Sequence, residues 1–368
     1  MLYGYSLPQR ELAARKTLGI QQKSSLVRCL VCYTSQKQPQ KSRTPSLRPR
    51  SATLAKSAVI LGAYLYSSAA MSAFPASTRA MQGSLFVYAP GRQAFVTGSL
   101  QKKAAVLLGG LSDGLLACPY APPLAEALEA LGYATVQPIL RTSYAQFGFG
   151  SLDNDVEDLE ALFACEAFRG VEEVFLVGHS TGSQICAHYA RHGKAAKKLS
   201  VCLQGGVSDR ETDSEREVVR RSPILTRAQW QVDTGKGAEF LPRECHWAPM
   251  TARRYLDLHD VGGADDYFSS DLGDDELRKR FSAFGAKGVG CLVAYSGADE
   301  YAPKSVDKAA LVEKICGACA AGNAARVAGL VVAGAPHNCA GAEEAFVAAC
   351  VAFLTGGAVE GACFDTLK

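Results

Sequence analysis

A Gly-x-Ser-x-Gly pattern is the clearest candidate in this sequence for covalent chemistry. Gly178, Ser180 and Gly182 follow an apolar run that ends at Val177, and helical spacing of apolar residues comes directly after them. A strand, a tight turn and a helix in this order form a nucleophile elbow, in which small neighbours permit a strained turn that exposes the serine hydroxyl. The N-terminus of the helix then faces the negative charge that develops during acyl transfer. The pattern predicts Ser180 as a nucleophile, with the side chain of His179 pointing away from it.

An acyl-transfer serine needs a histidine as its base and a carboxylate that orients the histidine. When the serine sits in such an elbow, the chain order is Ser, then Asp or Glu, then His. Of the six histidines, only His337 lies beyond the last predicted strand, and Asp299 lies on the loop after the strand before it. Asp209 is the competing acid, but it adjoins Arg210, and an ion pair between these neighbours is the simpler explanation for it. We therefore predict Asp299 and His337 as the partners of Ser180.

Two backbone amides complete the predicted site. The N–H of Thr181 follows the nucleophile, and a second N–H is expected from the glycine-rich loop 109–114, which follows an early strand. The glycines of this loop permit a turn that aims the amide of Leu111 inward. Phosphate binding is not favoured there, because no Lys-Ser/Thr follows as in a P-loop and no dinucleotide fingerprint is present. We predict an oxyanion hole formed by Leu111 and Thr181.

Alternating strand and helix patterns supply the frame that must position these residues. The later strands are continuous runs of Val, Leu, Ile and Ala, as expected for strands that are covered on both faces. Such a series predicts an α/β fold with a mostly parallel, doubly wound sheet, and the first two strands are expected to form an antiparallel edge hairpin. The predicted strands are 84–88, 93–97, 104–108, 134–137, 174–177, 199–203, 291–295 and 327–332. The predicted helices are 122–131, 153–163, 183–192, 305–318 and 342–354.

One connection is far longer than the others. Residues 207–289 separate two consecutive strands and are rich in charged and turn-forming residues. A structureless loop of this length is improbable in a compact domain, so the sequence predicts a helical cap at about 208–288, inserted over the strand ends where α/β sheets bind ligands. Within the cap, Ser270 or Asp271 is expected to cap a helix. The acidic spacing there does not fit a calcium-binding loop.

Charge is divided unevenly along the 368 residues, although the total is only +3. Residues 1–81 contain 12 Lys and Arg but a single acid, Glu11, whereas the rest of the chain contains 27 basic and 35 acidic residues. An acidic body is a poor match for nucleic acid, because phosphate contacts require a basic face. We expect no nucleic-acid partner, and 82–368 is the predicted catalytic domain.

The composition of residues 1–81, rich in Ser, Ala, Lys and Arg, is typical of an organellar transit peptide. The apolar run 58–66 is too short to form a stable membrane span. We predict a targeting leader, and the organelle favoured is a plastid rather than a mitochondrion. The alternative is a true start at Met71 or Met81 and a cytoplasmic protein.

The 13 cysteines are spread along the chain, and several lie in apolar runs, where cysteine behaves as a small hydrophobic residue. This distribution favours a reducing compartment. The pairs Cys29/Cys32 and Cys316/Cys319 have zinc-site spacing, but the first lies in the predicted leader and no histidine is near the second. We expect no metal and no other cofactor.

Several strings in the body of the chain together resemble one family. The family is an uncharacterised group of α/β-hydrolases from fungi, plants and algae, long treated as a domain of unknown function, that includes fungal siderophore ester hydrolases. The resemblance covers about residues 84–355 and implies an α/β-hydrolase fold, a triad of Ser180, Asp299 and His337, and no cofactor. The strings that carry it include LGGLSDGLL at 108–116, GHSTGSQ at 178–184, VSDRE at 207–211, DDYFSSDL at 265–272 and SGADEY at 296–301.

The predicted function is hydrolysis of a small-molecule carboxylic ester through an acyl-enzyme. Two alternatives stay open at this point. One is a hydrolase-fold protein that binds a ligand with negligible turnover, because a fold and its motif can serve a different function. The other is acyl transfer to an acceptor other than water, which depends on how well the cap excludes water.

Overall fold

The computed structural model describes residues 79–194, 197–321 and 323–367. Nearly all of the predicted leader lies outside these residues, together with Met71 and the Cys29/Cys32 pair, so a targeting role stays a prediction. Across the described ranges, no helix combines the length and the apolar character that crossing a bilayer requires.

A single sheet organises the described part of the chain. Its strands are β1 (Ser84–Ala89), β2 (Arg92–Thr97), β3 (Lys103–Leu108), β4 (Tyr133–Pro138), β5 (Glu173–His179), β6 (Lys198–Gln204), β7 (Gly290–Ser296), β8 (Val327–Val332) and β9 (Ala362–Asp365). The order across the sheet is β1-β2-β4-β3-β5-β6-β7-β8-β9. The strands from β4 to β8 in this order are parallel, and β1 and β2 form the antiparallel hairpin that was expected at the edge.

Helices cover both faces of the sheet. They are α1 (Ala121–Glu129), α2 (Leu152–Ala164), α3 (Thr181–His192), α4 (Glu215–Asp233), α5 (Ala252–His259), α6 (Asp274–Ala286), α7 (Lys308–Ala320) and α8 (Glu343–Thr355). Alternate residues of β5 serve the two faces, because successive side chains of a strand point in opposite directions. Val174 and Leu176 pack in the core that contains residues of α2, α3, α6 and α7. Phe175 and Val177 pack on the other face with residues of α1 and α8.

The sequence patterns missed one strand. β9 pairs antiparallel with β8 at the edge of the sheet, and it is held there partly by an ion pair between Arg326 Nη2 and Asp365 Oδ2 at 3.0 Å. It has only four residues, and Cys363 within it is exposed. A run this short has too few alternations to be recognised as a strand.

The long connection between β6 and β7 contains three helices with two different roles. α4 and α5 share a separate apolar cluster, in which Ile224 and Tyr255 pack with Phe147 from the main body. α6 instead contributes Phe281 and Phe284 to the core beneath the sheet. Only part of the predicted cap therefore stands apart from the helical layers of the sheet.

Within this connection, the string VSDRE at 207–211 is bound to the string DDYFSSDL at 265–272. Arg210 Nε donates to Asp266 Oδ2 at 2.9 Å, and Arg210 also pairs with Asp271. Glu211 accepts hydrogen bonds from both the backbone N–H and the hydroxyl of Ser270, at 2.8 and 2.6 Å. The prediction that Ser270 or Asp271 caps the next helix is wrong, because these contacts occupy both side chains. The N-cap of α6 is Gly273.

Loss of the Arg210–Asp266 ion pair, which anchors this connection, should lower the free energy of unfolding far more than loss of an ion pair on the surface. The side chains of Arg210 and Asp266 are 9% and 1% exposed, so Arg210→Ala leaves a buried carboxylate without its partner and should lower the free energy of unfolding by about 3–5 kcal/mol. Arg278 pairs with Asp275 on the solvent-exposed side of α6, at 59% and 90% exposure, and Arg278→Ala should lower the free energy of unfolding by at most about 1 kcal/mol. Urea unfolding of both variants measures the difference. Equal losses would contradict the anchoring role.

Candidate active site

Ser180 lies in a strained turn between β5 and α3. Its backbone has φ 53° and ψ −122°, in a region that residues with a side chain rarely adopt. The turn is tight enough to require glycine on both sides. A Cβ on Gly178 would lie 2.1 Å from the carbonyl oxygen of Gly182, and a Cβ on Gly182 would lie 2.4 Å from the carbonyl oxygen of Leu108. Ser180 is partly exposed, whereas both of its chain neighbours are buried.

His337 and Asp299 form a buried pair next to this turn. His337 Nδ1 lies 2.8 Å from Asp299 Oδ2, and the two residues are 7% and 5% exposed. The second carboxylate oxygen of Asp299 accepts from the backbone N–H of Tyr301, and Glu300 accepts from the backbone N–H of His337. An aspartate on Nδ1 fixes the tautomer in which Nδ1 carries the proton and Nε2 is free to accept one.

Gln204, at the end of β6, connects the serine turn with the histidine loop. Its backbone carbonyl accepts from the backbone N–H of Ser180 and from the hydroxyl of Ser183, both at 2.9 Å. Its side-chain Nε2 donates to the carbonyl oxygen of His337 at 2.9 Å. Ser296 Oγ, at the end of β7, accepts from the same Nε2 at 3.1 Å. Gln204 could not be found from the sequence pattern, because its partners are distant along the chain.

His179 lies against the predicted base. Its side chain, which is predicted to point away from Ser180, has its ring centroid 4.8 Å from that of His337. His179 Nδ1 lies 2.7 Å from Gln204 Oε1, so Nδ1 donates to the amide oxygen. Burial and, to a smaller extent, the nearby charge of His337 lower the pKa of His179 to about 4. His179 is therefore neutral beside the base at physiological pH.

Among the described residues, no hydrogen bond joins Ser180 Oγ to His337. The two are nevertheless close, since Ser180 follows His179 directly and the Ser180 turn and the His337 loop share Gln204. Contacts of this kind are often long before a substrate binds and shorten in the complex. Proton transfer between Ser180 and His337 would require this shortening.

The two predicted oxyanion donors are available. Neither Leu111 nor Thr181 uses its backbone N–H in a hydrogen bond to another described residue. The loop that carries Leu111 is closed by Asp113, whose carboxylate accepts from the N–H of Gly110 at 2.7 Å. Leu111 and Thr181 both line a pocket with about 420 Å³ of empty space, a volume that includes space open to solvent.

Asp209 is not part of an ion pair with Arg210, and that prediction is wrong. Arg210 instead forms ion pairs with the carboxylates of Asp266 and Asp271. Two carboxylates stabilise the guanidinium more than the single carboxylate of Asp209 could. Asp209 Oδ2 instead accepts from Gln184 Nε2 at 3.1 Å. Burial and, to a smaller extent, the charge of Asp265 raise the pKa of Asp209 to about 7. His337 Nδ1 meets Asp299 and not Asp209.

Within the described residues, no three His, Cys, Asp or Glu side chains are grouped so that they could hold a metal ion. Cys316 and Cys319 lie on α7 and pack in the apolar core beneath the sheet. The chemistry that the geometry allows is that of a serine with an adjacent histidine and carboxylate.

These features define the class of the protein. A serine in a strand-to-helix turn, a buried histidine-aspartate pair and a mostly parallel sheet are the arrangement of an α/β-hydrolase. The fold is shared with the siderophore hydrolase EstB from Aspergillus fumigatus, at 25% identity and a TM-score of 0.62 over 77% of this chain and 99% of that one. It is also shared with an α/β-hydrolase-fold protein of unknown function, with a TM-score of 0.56 and 20% identity. The predicted α/β-hydrolase fold is confirmed.

The chain belongs to the family described as a protein of unknown function (DUF1749), which matches residues 71–354. It is 33% identical over 238 residues to a UPF0613 protein of Schizosaccharomyces pombe, covering 60% of this chain and 75% of the relative. It is 29% identical over 275 residues to the fusarinine C esterase of A. fumigatus, covering 60% and 77%. An esterase of Emericella nidulans is 28% identical over 296 residues, covering 63% and 79%. The resemblance found in the sequence is confirmed, and the protein is an esterase-type hydrolase.

Removing the amide of Gln204 should disrupt both stability and activity. Gln204→Leu leaves His179 and the His337 carbonyl without their partner, so the free energy of unfolding should fall by about 2–5 kcal/mol. Misplacement of the two loops should lower kcat/KM for 4-nitrophenyl acetate about 100-fold. Gln231 on α4 is also a buried glutamine, and its Oε1 has no partner among the described residues, so Gln231→Leu should change neither quantity much. A similar kcat/KM in both variants would exclude the connecting role.

Asp155 should make stability fall as pH rises. It is 2% exposed, and burial raises its pKa from 3.8 to about 7 although Thr142 donates a hydrogen bond to it. Between pH 4 and 7 Asp155 holds a proton in the folded protein that the unfolded chain releases, so this residue makes the free energy of unfolding decrease with pH, by at most about 1.4 kcal/mol per unit. Asp155→Asn should flatten this slope.

Urea unfolding at pH 5, 6 and 7 measures the effect. Glu157→Gln, on the exposed side of the same helix, is the control and should keep the slope of the wild type. The same slope in Asp155→Asn and in the wild type would show that Asp155 is ionised in the folded protein throughout this range.

Proposed function

We propose that the protein hydrolyses a small-molecule carboxylic ester through an acyl-enzyme on Ser180, with His337 as general base and Asp299 as the residue that orients it. The observation that carries the proposal is the buried contact of 2.8 Å between His337 Nδ1 and Asp299 Oδ2, beside the strained turn of Ser180. A solvated loop histidine would have neither the burial nor the aligned carboxylate.

In the first step, Ser180 Oγ attacks the ester carbonyl carbon while His337 Nε2 takes the hydroxyl proton. The carbonyl oxygen becomes an oxyanion, and the N–H groups of Leu111 and Thr181 stabilise it. When the carbon–oxygen bond to the alcohol breaks, the imidazolium of His337 gives its proton to the leaving alcohol. The products of this step are the free alcohol and an acyl ester on Ser180.

In the second step, His337 takes a proton from water as the water attacks the acyl-enzyme. Collapse of the second oxyanion returns the proton to Ser180 and releases the carboxylic acid. The carboxylate of Asp299 stabilises the imidazolium in both steps without being protonated itself. The neutral state of His179 supports this role for His337, because a second positive charge at 4.8 Å would oppose protonation of the base.

Two groups of esters are candidate substrates. The names of two similar proteins, a fusarinine C esterase and a siderophore hydrolase, make siderophore esters one substrate group to screen. Simple aliphatic esters are the second group, since the pocket walls include Leu111, Phe147 and Ile185.

Labelling of the full chain with a fluorophosphonate probe tests the proposal. The wild type should be labelled on Ser180, and Ser180→Ala should abolish labelling. Both His337→Ala and Asp299→Asn should reduce the labelling rate and kcat at least about 1,000-fold. His192→Ala, on a histidine at the far end of α3, is the control and should be labelled like the wild type.

Two outcomes would redirect the proposal. A folded wild-type protein that is not labelled would favour the ligand-binding alternative over hydrolysis. Labelling combined with ester products in the presence of added alcohols, and little free acid, would favour acyl transfer.

A further inference from the structure

A buried arginine shares the pocket with the oxyanion donors. Arg254, on α5, is 2% exposed and is one of the residues that line the pocket with Leu111 and Thr181. Its Nε donates to the carbonyl oxygen of Phe147 at 2.9 Å, and its Nη1 donates to Asp265 Oδ1 at 2.5 Å. Its Nη2 donates to no described residue. The guanidinium is thus held in place from one side and has free N–H donors for a molecule in the pocket.

The position of the pocket determines which part of an ester would reach Arg254. The leaving alcohol must lie near His337, because His337 supplies its proton. His337 does not line this pocket, whereas both oxyanion donors do. The pocket therefore suits the acyl part of the ester, whose carbonyl oxygen the amides of Leu111 and Thr181 would hold.

The charges around Arg254 determine what kind of group it can bind. Asp265 already balances its charge in a buried ion pair, with side chains 2% and 0% exposed. Asp155 and Asp209 are also close enough to act on Arg254 electrostatically, and each has a pKa of about 7. Above pH 7, where Asp155 and Asp209 lose their protons, a carboxylate on the substrate would add negative charge to a cluster that already has an excess. A neutral acceptor avoids this repulsion and still satisfies the free N–H groups.

We propose that Arg254 Nη2 donates a hydrogen bond to a neutral carbonyl oxygen within the acyl part of the substrate. The enzyme then selects acyl groups that carry a ketone or amide carbonyl over aliphatic groups and over groups that end in a carboxylate. This inference rests on the proposed function, because it uses the oxyanion donors to orient the ester. Arg254 acts here as a residue that determines specificity.

A panel of 4-nitrophenyl esters tests the selection in the wild-type full chain. The 4-oxopentanoate and 5-oxohexanoate are compared with their isosteres, the 4-methylpentanoate and 5-methylhexanoate, and with the anionic monosuccinate. At least one oxo ester should have a kcat/KM about 10- to 100-fold above its methyl isostere. The monosuccinate should be hydrolysed more slowly than the 4-oxopentanoate.

Arg254→Lys then assigns the selection to the guanidinium. Lysine keeps a positive charge opposite Asp265 but lacks the planar fork of donors, so the ratio between oxo and methyl esters should fall to nearly one, whatever the absolute rates. Arg326 is a second buried arginine that pairs with an aspartate, and it contacts α8 and β9 rather than the pocket. Arg326→Lys should keep the ratio of the wild type.

The outcomes separate this inference from the function on which it rests. If a fluorophosphonate labels Ser180 but the wild type hydrolyses oxo and methyl esters at equal rates, prefers the monosuccinate or accepts none of them, only the role of Arg254 is overturned. An unchanged ratio in a folded Arg254→Lys variant would also overturn it. If Ser180 is not labelled, the proposed function fails and this inference fails with it. The wild-type panel decides the question even if Arg254→Lys does not fold.

Discussion

The site depends on one buried amide at the end of a central strand. Gln204 is fully buried, and its backbone and side chain together bind the serine turn, His179 and the histidine loop. An amide has both a donor and an acceptor end, so it can hold a carbonyl on one side and a histidine N–H on the other. Because parallel strands end at the same edge of the sheet, the contacts of Gln204 at the end of β6 hold the turn after β5 near the loop after β8 that carries His337.

The same contacts offset the strain of the nucleophile turn. A residue other than glycine with positive φ carries about 1–3 kcal/mol of strain, and it persists only where the surrounding structure holds it in place. The hydrogen bond from the Ser180 N–H to Gln204 and those from the Ser183 hydroxyl supply that support at the first turn of α3. The packing of α3 between α2 and α6 then prevents relaxation of the turn. Strain is thus held at Ser180 by hydrogen bonds and packing elsewhere.

The sequence alone could predict most of the strands and helices, and the candidate site residues that lie in the loops directly after strands. Ser180, Asp299 and His337 each follow a run of apolar residues that is recognisable locally, and the parallel sheet follows from those runs. Gln204 and Arg254 could not be found this way, because their roles arise from contacts far along the chain: Arg254 binds the carbonyl of Phe147, 107 residues earlier. The prediction of an ion pair between Asp209 and Arg210 was wrong for the same reason. Adjacency in the sequence does not show which distant carboxylates a side chain contacts in the fold.

Two adjacent aspartates, Asp265 and Asp266, connect the Arg210 anchor with the pocket arginine Arg254. Asp266 pairs with Arg210 and fixes the connection between β6 and β7, while Asp265 pairs with Arg254 at the pocket. Because neighbouring residues share one stretch of backbone, a shift of the Arg210 anchor would also move the partner of Arg254. The proposed catalytic residues come from loops at the ends of the strands, whereas Arg254 comes from the inserted helix. The proposed acyl specificity could therefore change with this insertion while the arrangement of Ser180, His337 and Asp299 stays the same.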